Sequence, residues 1–146
     1  MRRTYCVFLL LAVFGIASDL SGQVTERRPA EKAESGFTLG QNYPNPFNPE
    51  TRIPFELNEG LFVDGRTVVV SVRIYNVLQQ YVATPTALNH PNGQAPLIDL
   101  EYTVPGRHEA YWDGLDQAGR PVASGIYFVQ LIVNGERAVI RMYVTK

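Results

Sequence analysis

The sequence predicts an all-β protein, an immunoglobulin-like antiparallel β-sandwich of about seven strands. The first observation is a β-branched and aromatic run from Gly125 to Val133, which is typical of a central strand. The second is Asn134-Gly135, directly after that run, which predicts a two-residue hairpin because both central residues of a type I′ turn need a positive φ. The third is the return run from Arg137 to Val144, in which apolar residues alternate with charged or mixed ones.

Five further strands are predicted from shorter alternating patterns between turn signals. They are Thr51 to Leu57, Thr67 to Tyr75, Gln80 to Ala83, Leu97 to Val104 and Arg107 to Trp112. Pro54 lacks a backbone N–H, so the first of these strands is expected at a sheet edge or beside a bulge. Trp112 is expected to anchor the core or a sheet edge.

The chain is expected to contain three regions. Residues 1–22 have a basic start and an uncharged apolar run, as in a secretory signal peptide, with a retained N-terminal anchor as the alternative. Residues 23–36 are charged and have little to bury, which predicts a disordered linker. Residues 37–146 form the folded domain. Cys6 is the only cysteine, so the domain is expected to fold without a disulfide or a thiolate metal site.

Two segments are predicted to lack regular structure. The segment Tyr43 to Pro49 contains three prolines, which exclude a helix and a central strand and indicate a rigid, extended path. Tyr43 and Phe47 are expected to pin this segment to the sandwich, with ligand stacking as the alternative. Thr84 to Pro96 is rich in proline and turn residues and is predicted to be a long surface loop.

The composition gives no indication of a catalytic or nucleic-acid-binding protein. The 13 Lys and Arg residues balance 14 Asp and Glu residues, so no basic surface for nucleic acid is expected. His90, in a loop, and His108, beside Glu109, are interpreted as surface residues, with a His–carboxylate pair as the alternative. We therefore expect no enzyme, no cofactor and no small-molecule substrate.

A calcium site at Asp113 and Asp116 is one hypothesis for the turn after Trp112. Calcium prefers six to eight oxygen ligands, and no third carboxylate follows at a suitable spacing. The alternative is that both aspartates cap local N–H groups in a glycine-containing turn. No metal site is therefore expected.

An ordered set of motifs runs through residues 37–146. It consists of Asn42-Tyr43-Pro44-Asn45-Pro46-Phe47-Asn48-Pro49, then Val72-Arg73-Ile74-Tyr75-Asn76-Val77-Leu78, Pro105-Gly106, Trp112-Asp113-Gly114-Leu115-Asp116-Gln117-Ala118-Gly119, Val122-Ala123-Ser124-Gly125-Ile126-Tyr127-Phe128, and a terminal Lys146. This set resembles the C-terminal sorting domain of type IX secretion cargo (type A), and it is similar to the immunoglobulin-like domain of flagellar hook-capping proteins. Where the family usually has a glycine after the Asn-Val-Leu turn, this chain has Gln79.

The resemblance implies a role as a C-terminal sorting signal that is recognised by the outer-membrane secretion translocon. It implies export to the periplasm, followed by secretion or delivery to the cell surface. The recognition residues implied by position are Pro105, Gly106, Gly125, Tyr127 and Lys146. Because no cargo domain stands between the predicted signal peptide and the sorting domain, we expect the small domain to be the product itself, a remnant or a scaffold module. A monomer is expected.

Two other functions remain open from the sequence. The first is a structural or assembly role, as the similarity to hook-capping proteins implies. The second is that of a carbohydrate-binding module that uses Tyr43, Phe47 and Tyr111.

Overall fold

Two antiparallel sheets pack face to face in the part of the chain that the computed structural model describes, residues 35–146. Within these residues nine strands occur: β1 (Phe37–Leu39), β2 (Thr51–Leu57), β3 (Val68–Asn76), β4 (Tyr81–Ala83), β5 (Thr86–Leu88), β6 (Leu100–Tyr102), β7 (Gly106–Trp112), β8 (Gly125–Val133) and β9 (Glu136–Val144). Sheet 1 has the order β1-β2-β7-β5, and sheet 2 has the order β4-β3-β8-β9 with β6 also paired to β3. The predicted all-β sandwich is confirmed. The predicted signal peptide and almost all of the predicted linker lie outside the described residues.

The core between the sheets follows the period-two pattern of the sequence. Val68, Val70, Val72 and Ile74 of β3 are fully buried, while Arg73 on the opposite face is exposed. In β9, Met142 and Val144 are buried, and Ala138 and Ile140 on the same face are partly buried. Because successive side chains of a strand point to opposite faces, each of these strands contributes one apolar face to the core.

The strand β2 lies inside its sheet, so the prediction that Pro54 marks a sheet edge is wrong. The alternative, a bulge, does occur beside Pro54: between the pairs Leu39–Phe55 and Tyr43–Arg52, three residues of the first segment lie opposite two of β2. Strand β2 pairs with β1 on one side and with β7 on the other. The Pro54 carbonyl accepts a hydrogen bond from the Gly40 N–H (2.9 Å), which lies just beyond the end of β1. The N and O atoms of one residue point to the same side in an antiparallel ladder. The backbone N–H that Pro54 lacks would therefore point to the side of β1, at a position just beyond the end of that short strand.

The segment Thr84 to Pro96 is only in part the surface loop that the sequence predicts, because Pro91 to Gln94 are exposed and irregular but the rest is not. It contains β5, which pairs with β7 and buries Ala87 completely. The Ala87 N–H donates to the Ala95 carbonyl (2.7 Å), and the Leu97 N–H donates to the Pro85 carbonyl (3.0 Å). These bonds fold the segment back on itself as an additional strand of sheet 1.

The strand count differs from the predicted seven because short elements escape sequence-based prediction. Strands β1 and β5 have three residues each, and β6 is also three residues long although the sequence predicts a strand from Leu97 to Val104. A 3₁₀-helical segment, Glu59–Gly65, lies between β2 and β3 and is interrupted at Val63 and Asp64. No helix among the described residues is long and apolar enough to cross a membrane.

The hairpin between β8 and β9 has the predicted two-residue turn. Val133 pairs with Glu136, and the intervening Asn134 and Gly135 have φ values of 48° and 89°. The Asn134 side chain accepts a hydrogen bond from the Val69 N–H (2.9 Å), which ties the turn to β3.

The turn between β3 and β4 is organised by Asn76. Its Oδ1 accepts hydrogen bonds from the N–H groups of Leu78 (3.0 Å) and Gln80 (2.9 Å). Between them Gln79 has a φ of 59°, in the left-handed region that a side chain disfavours. The glycine that is usual at this place in the resembled family would meet no such penalty.

We expect Gln79→Gly to raise the free energy of unfolding by about 1 kcal/mol, because it removes the left-handed strain of a residue with a Cβ. The matched control is Leu78→Gly in the same turn. Leu78 is exposed and does not have a positive φ, so this change is expected to lower stability by up to about 1 kcal/mol. Chemical denaturation of both variants measures the difference, and two losses of equal size would contradict the assignment.

The turn after Trp112 requires a glycine for two separate reasons. Gly114 has a φ of 75°, and a Cβ at this position would lie 2.2 Å from the Pro49 carbonyl oxygen. The backbone of the proline-rich segment therefore packs directly onto Gly114. Gly119 has nearly the same φ, 76°, but a Cβ added there would have no neighbouring atom within 4 Å.

The pair Gly114→Ala and Gly119→Ala separates backbone strain from steric contact. Gly119→Ala is expected to cost about 1 kcal/mol from the positive φ alone. Gly114→Ala is expected to cost about 2–4 kcal/mol, because the new methyl group also displaces the backbone at Pro49. Denaturant midpoints of the two variants test this, and equal midpoints would show that the contact with Pro49 is unimportant.

Candidate functional site

The proline-rich segment, residues 43–49, lies along the outer edge of β9 at the end of the chain. The Phe47 N–H donates to the Tyr143 carbonyl and the Thr145 N–H donates to the Phe47 carbonyl, each at 3.0 Å. The Asn45 side chain accepts from the Tyr143 N–H at 3.0 Å. The segment thus adds a short parallel pairing to the last strand, centred on Phe47 and Val144.

An aromatic cluster beneath this pairing fixes the segment to the core. The Phe47 and Trp112 rings have centroids 5.3 Å apart, and the Trp112 and Tyr127 rings have centroids 5.8 Å apart. Trp112 is buried and donates its indole N–H to the Leu115 carbonyl (2.9 Å), so it is a core anchor as expected. The Tyr127 hydroxyl donates to the Ala123 carbonyl (2.9 Å).

The five residues implied in recognition lie at two opposite ends of the sandwich. Gly125 pairs with Val144, two residues before Lys146, and Tyr127 contacts Trp112. Gly106 begins β7, six residues before Trp112, and this separation corresponds to about 20 Å along a strand. The structure therefore brings Gly125, Tyr127 and the C terminus together and places Pro105-Gly106 far from them.

These residues also differ in what they offer to a partner. Lys146 and Gly125 are exposed, and Pro105 and Gly106 are half-buried. Tyr127 has only 8% of its surface exposed, and burial raises the pKa of its hydroxyl. Its side chain thus contributes to the core, and only the backbone around it borders the surface.

The Pro105-Gly106 end contains a second candidate site, a cleft of about 700 Å³. The cleft is lined by both histidines and by Tyr102. The Tyr102 ring meets those of His90 and His108 edge to face, with centroids 4.8 Å and 4.6 Å apart. The Tyr102 hydroxyl is buried and has no hydrogen-bond partner among the described residues. Burial raises the pKa of this hydroxyl to about 12.

Both histidines have their Nε2 atoms directed at backbone carbonyls. His90 Nε2 lies 2.9 Å from the Glu101 carbonyl, and His108 Nε2 lies 2.9 Å from the Val104 carbonyl. Carbonyls only accept, so both Nε2 atoms donate. His90 Nδ1 accepts a hydrogen bond from the Asn92 N–H (3.1 Å). His90 is buried rather than exposed, so its interpretation as a surface residue is wrong.

The hypothetical His108–Glu109 pair does not form. Adjacent residues of a strand point to opposite faces. His108 packs against Phe55 and Tyr102, whereas Glu109 faces outward and pairs with Arg52 (3.6 Å) and Arg107 (3.4 Å).

The two aspartates of the turn after Trp112 act as caps. Asp113 Oδ1 accepts from the Leu115 N–H (3.0 Å), and Asp116 Oδ1 accepts from the N–H groups of Ala118 (2.9 Å) and Arg120 (3.0 Å). The backbone N–H of Arg120, then its guanidinium and the Ala118 N–H, hold the pKa of Asp116 below its usual value against an opposing effect of desolvation. Among the described residues no group of three or more His, Cys, Asp and Glu is arranged to hold a metal ion.

The three aromatic residues of the carbohydrate-binding hypothesis do not form one surface. Phe47 is in the core, with 1% of its surface exposed, so its assignment as a ligand-stacking residue is wrong. Tyr43 and Tyr111 pair with opposite sides of Arg52. The Tyr43 hydroxyl donates to Glu109, and the Tyr111 hydroxyl donates to Glu50 (2.5 Å), which raises the pKa of Tyr111.

Comparison with known proteins shows the fold and not a family. No protein-family model matches the chain, and no curated protein matches it. Dimeric latent PorU from Porphyromonas gingivalis is similar in structure, with a TM-score of 0.52 and 19% identity. The similarity covers 75% of this chain and 9% of PorU, so the shared part is one domain-sized region of a far longer protein.

Two further structures are similar at lower TM-scores. PorZ, a surface component of the type-IX secretion system of Porphyromonas gingivalis, has a TM-score of 0.41 and 19% identity over 76% of this chain and 12% of PorZ. The DNA glycosylase AlkC of Pseudomonas fluorescens has a TM-score of 0.45 and 14% identity over 76% of this chain and 31% of AlkC. Neither TM-score reaches 0.5, so neither similarity is used to assign a function.

Removing the hydroxyl of Tyr102 is expected to leave the stability unchanged or to raise it by about 1 kcal/mol, because a buried hydroxyl without a partner is unfavourable. The matched control is Tyr127→Phe, which removes a hydroxyl bonded to Ala123 and is expected to cost about 1 kcal/mol. Denaturation of Tyr102→Phe and Tyr127→Phe at neutral pH measures both changes, and an equal loss in the two variants would show that the Tyr102 hydroxyl has a partner.

The raised pKa of Tyr102 also predicts a pH dependence. In the folded state the pKa of this hydroxyl is about 12, against an ordinary value of 10.0 in the unfolded chain. The contribution of this group to stability is therefore complete below pH 10 and is lost as the pH rises toward 12. Tyr102→Phe should decline less steeply than the parent protein over this interval. Identical slopes would contradict the burial of the hydroxyl.

Proposed function

We propose that this chain is a non-catalytic, exported module whose folded domain acts as a C-terminal sorting signal for type IX secretion. The outer-membrane translocon is the proposed partner, and the cell surface or the medium is the proposed destination. The motif set of the sequence supports this proposal, since it resembles the sorting domain of type IX cargo from Asn42 to Lys146. The fold that the chain shares with a region of PorU is consistent with it.

The observation that carries the proposal is the pairing between the first motif and the strand that leads to the terminal Lys146. Phe47 and the strand end at Tyr143 and Thr145 exchange backbone hydrogen bonds of 3.0 Å. The resembling motifs therefore belong to one folded unit that closes at its own C terminus. In such a unit the last strand is formed only when the domain is folded. A partner that binds this strand therefore binds the folded domain and not the unfolded chain.

A reporter fusion tests this function. The reporter is placed behind the native residues 1–36 and followed by residues 37–146, in a bacterium that has the translocon and in a mutant that lacks it. We expect the reporter on the surface or in the medium only when both the domain and the translocon are present. Equal delivery without the translocon would overturn the sorting function and leave a structural or assembly role.

The variant to compare is Lys146→Glu, because a deletion of β9 would also remove the buried Met142 and Val144 and unfold the domain. Lys146 is exposed, so its reversal is expected to reduce delivery several-fold without loss of folding. Arg66→Glu, at an exposed site just before β3, is the matched control and should be delivered like the parent.

A further inference from the structure

The outer edge of β9 is only half occupied. The N–H groups of Tyr143 and Thr145 and the carbonyls of Arg141 and Tyr143 bond to Gln41, Asn45 and Phe47. Alternate residues of an antiparallel strand present their N–H and C=O groups to the same side. Arg137 and Val139, and the Arg141 N–H, therefore face the same edge, and among residues 35–146 these groups have no hydrogen-bond partner.

The core below this free edge is incompletely covered. Ala138 and Ile140 point toward the core, yet both are only partly buried, whereas Met142 at the occupied end is completely buried. Leu39 of β1, the strand of sheet 1 beside β9, is also partly buried. We call these three partly buried residues, Leu39, Ala138 and Ile140, the seam; they are the apolar side chains near the free edge that a further strand on β9 would help to cover.

The outer face beside the free edge is cationic. Arg137 and Arg141 are exposed on β9, and Arg73 is exposed on β3 in the same row as Val139. Among the described residues none of these three arginines forms an ion pair, although Arg52, Arg107 and Arg120 do. Glu136, at the hairpin end of β9, is the neighbouring carboxylate, and it precedes the free stretch.

We propose that the free edge, Arg137 to Arg141, binds an acidic, amphipathic β-strand of a partner protein. Main-chain hydrogen bonds to Arg137, Val139 and Arg141 supply the pairing, as in other cases of strand addition to a sheet edge. The two faces of the added strand then have different chemistry. Its apolar side chains cover the seam, and its carboxylates meet the arginines on the outer face.

A second copy of this chain fits the edge less well. Antiparallel pairing of two β9 edges about Val139 sets Arg141 of each copy opposite Arg137 of the other. Like charges directly opposite each other are unfavourable in a sheet. The same arginines that repel a second copy attract an acidic strand, so charge complementarity selects the occupant.

This inference deepens the proposed function, on which it rests, by naming the chemistry of the partner. The sorting function and the acidic-strand proposal are contradicted by different results. The reporter experiment measures delivery in cells, whereas the strand-binding experiment uses the purified full-length chain and a synthetic peptide. Delivery without peptide binding would reject the acidic strand and keep the sorting function. Peptide binding without delivery would reject the sorting function and keep the acidic strand as a ligand of the free edge.

The probe is an acetylated and amidated heptapeptide of alternating glutamate and valine. We expect it to shift the backbone amide resonances of Arg137, Val139 and Arg141, with an affinity that falls as salt is raised. The corresponding lysine–valine peptide is expected to bind about ten-fold more weakly. A glutamate–valine peptide with alternate amides N-methylated, in both registers, should also bind about ten-fold more weakly, because half of its donors are lost.

On the protein, Val139→Pro removes one outward N–H and leaves the ladder to β8 intact, since proline is tolerated where an edge N–H faces solvent. Val139→Thr keeps the N–H and is the matched control. We expect Val139→Pro to weaken binding about ten-fold and Val139→Thr to bind like the parent. If Val139→Pro fails to fold, the N-methylated peptides test the same hydrogen bonds on the unchanged protein.

Three results would overturn the proposal. The first is equal binding of the N-methylated and unmodified peptides. The second is that resonances outside the free edge shift while those of Arg137 to Arg141 do not. The third is concentration-dependent dimerisation, by sedimentation, that perturbs the same three amides, because a second copy would then be the occupant.

Discussion

The fold depends on the backbone pairing between residues 45–47 and the end of β9. This pairing joins a segment near the start of the domain to its last strand, and the Asn45–Tyr143 hydrogen bond beside it spans a sequence separation of 98. It also places the Phe47 ring against Trp112 and the Pro49 carbonyl over Gly114. Two hydrogen bonds of 3.0 Å are modest by themselves, but they position an aromatic side chain that is only 1% exposed. The larger stabilisation therefore comes from the packing that the pairing makes possible.

The local parts of this fold were predictable from the sequence, and the long-range parts were not. The β8–β9 hairpin, the alternation of β3 and the burial of Trp112 follow from the period of apolar residues and from the turn chemistry of Asn134-Gly135. Strands β1 and β5 have three residues each, too few to show a period. Their existence depends on partners that are distant in sequence. The packing of Phe47 onto the sandwich was expected from the sequence, whereas its pairing with β9 was not.

The candidate site shows the same division. The exposure of Lys146 and the position of Gly125 beside the C terminus were accessible from the hairpin alone. The Tyr102 cleft was not, because it depends on β5, the loop that carries His90, and β7 coming together at one end of the sandwich. Tyr102 has no distinguishing sequence context, and only the three-dimensional packing leaves its hydroxyl without a partner among the described residues.

The exposed arginines on the two outer faces of the sandwich differ in whether they form ion pairs. On sheet 1, Glu109 lies between Arg52 and Arg107 and both arginines pair with it. On sheet 2, Arg73, Arg137 and Arg141 have no ion pair among the described residues, and Arg141 lies over the Tyr143 ring at 5.5 Å. Exposed ion pairs contribute little to stability, so the difference matters more for binding than for folding. Charged residues on an edge strand usually protect a sheet from pairing with other chains.

The arginines of β9 suit that protective role, because they disfavour a second identical edge. Positive charges do not protect the edge from every strand, however, because an acidic strand is attracted by the same arginines. The proline-rich segment occupies one half of the edge. The other half therefore disfavours pairing with a second copy of this chain and favours pairing with an acidic strand. Both effects, protection against self-association and selection of a partner, come from the same two side chains, Arg137 and Arg141.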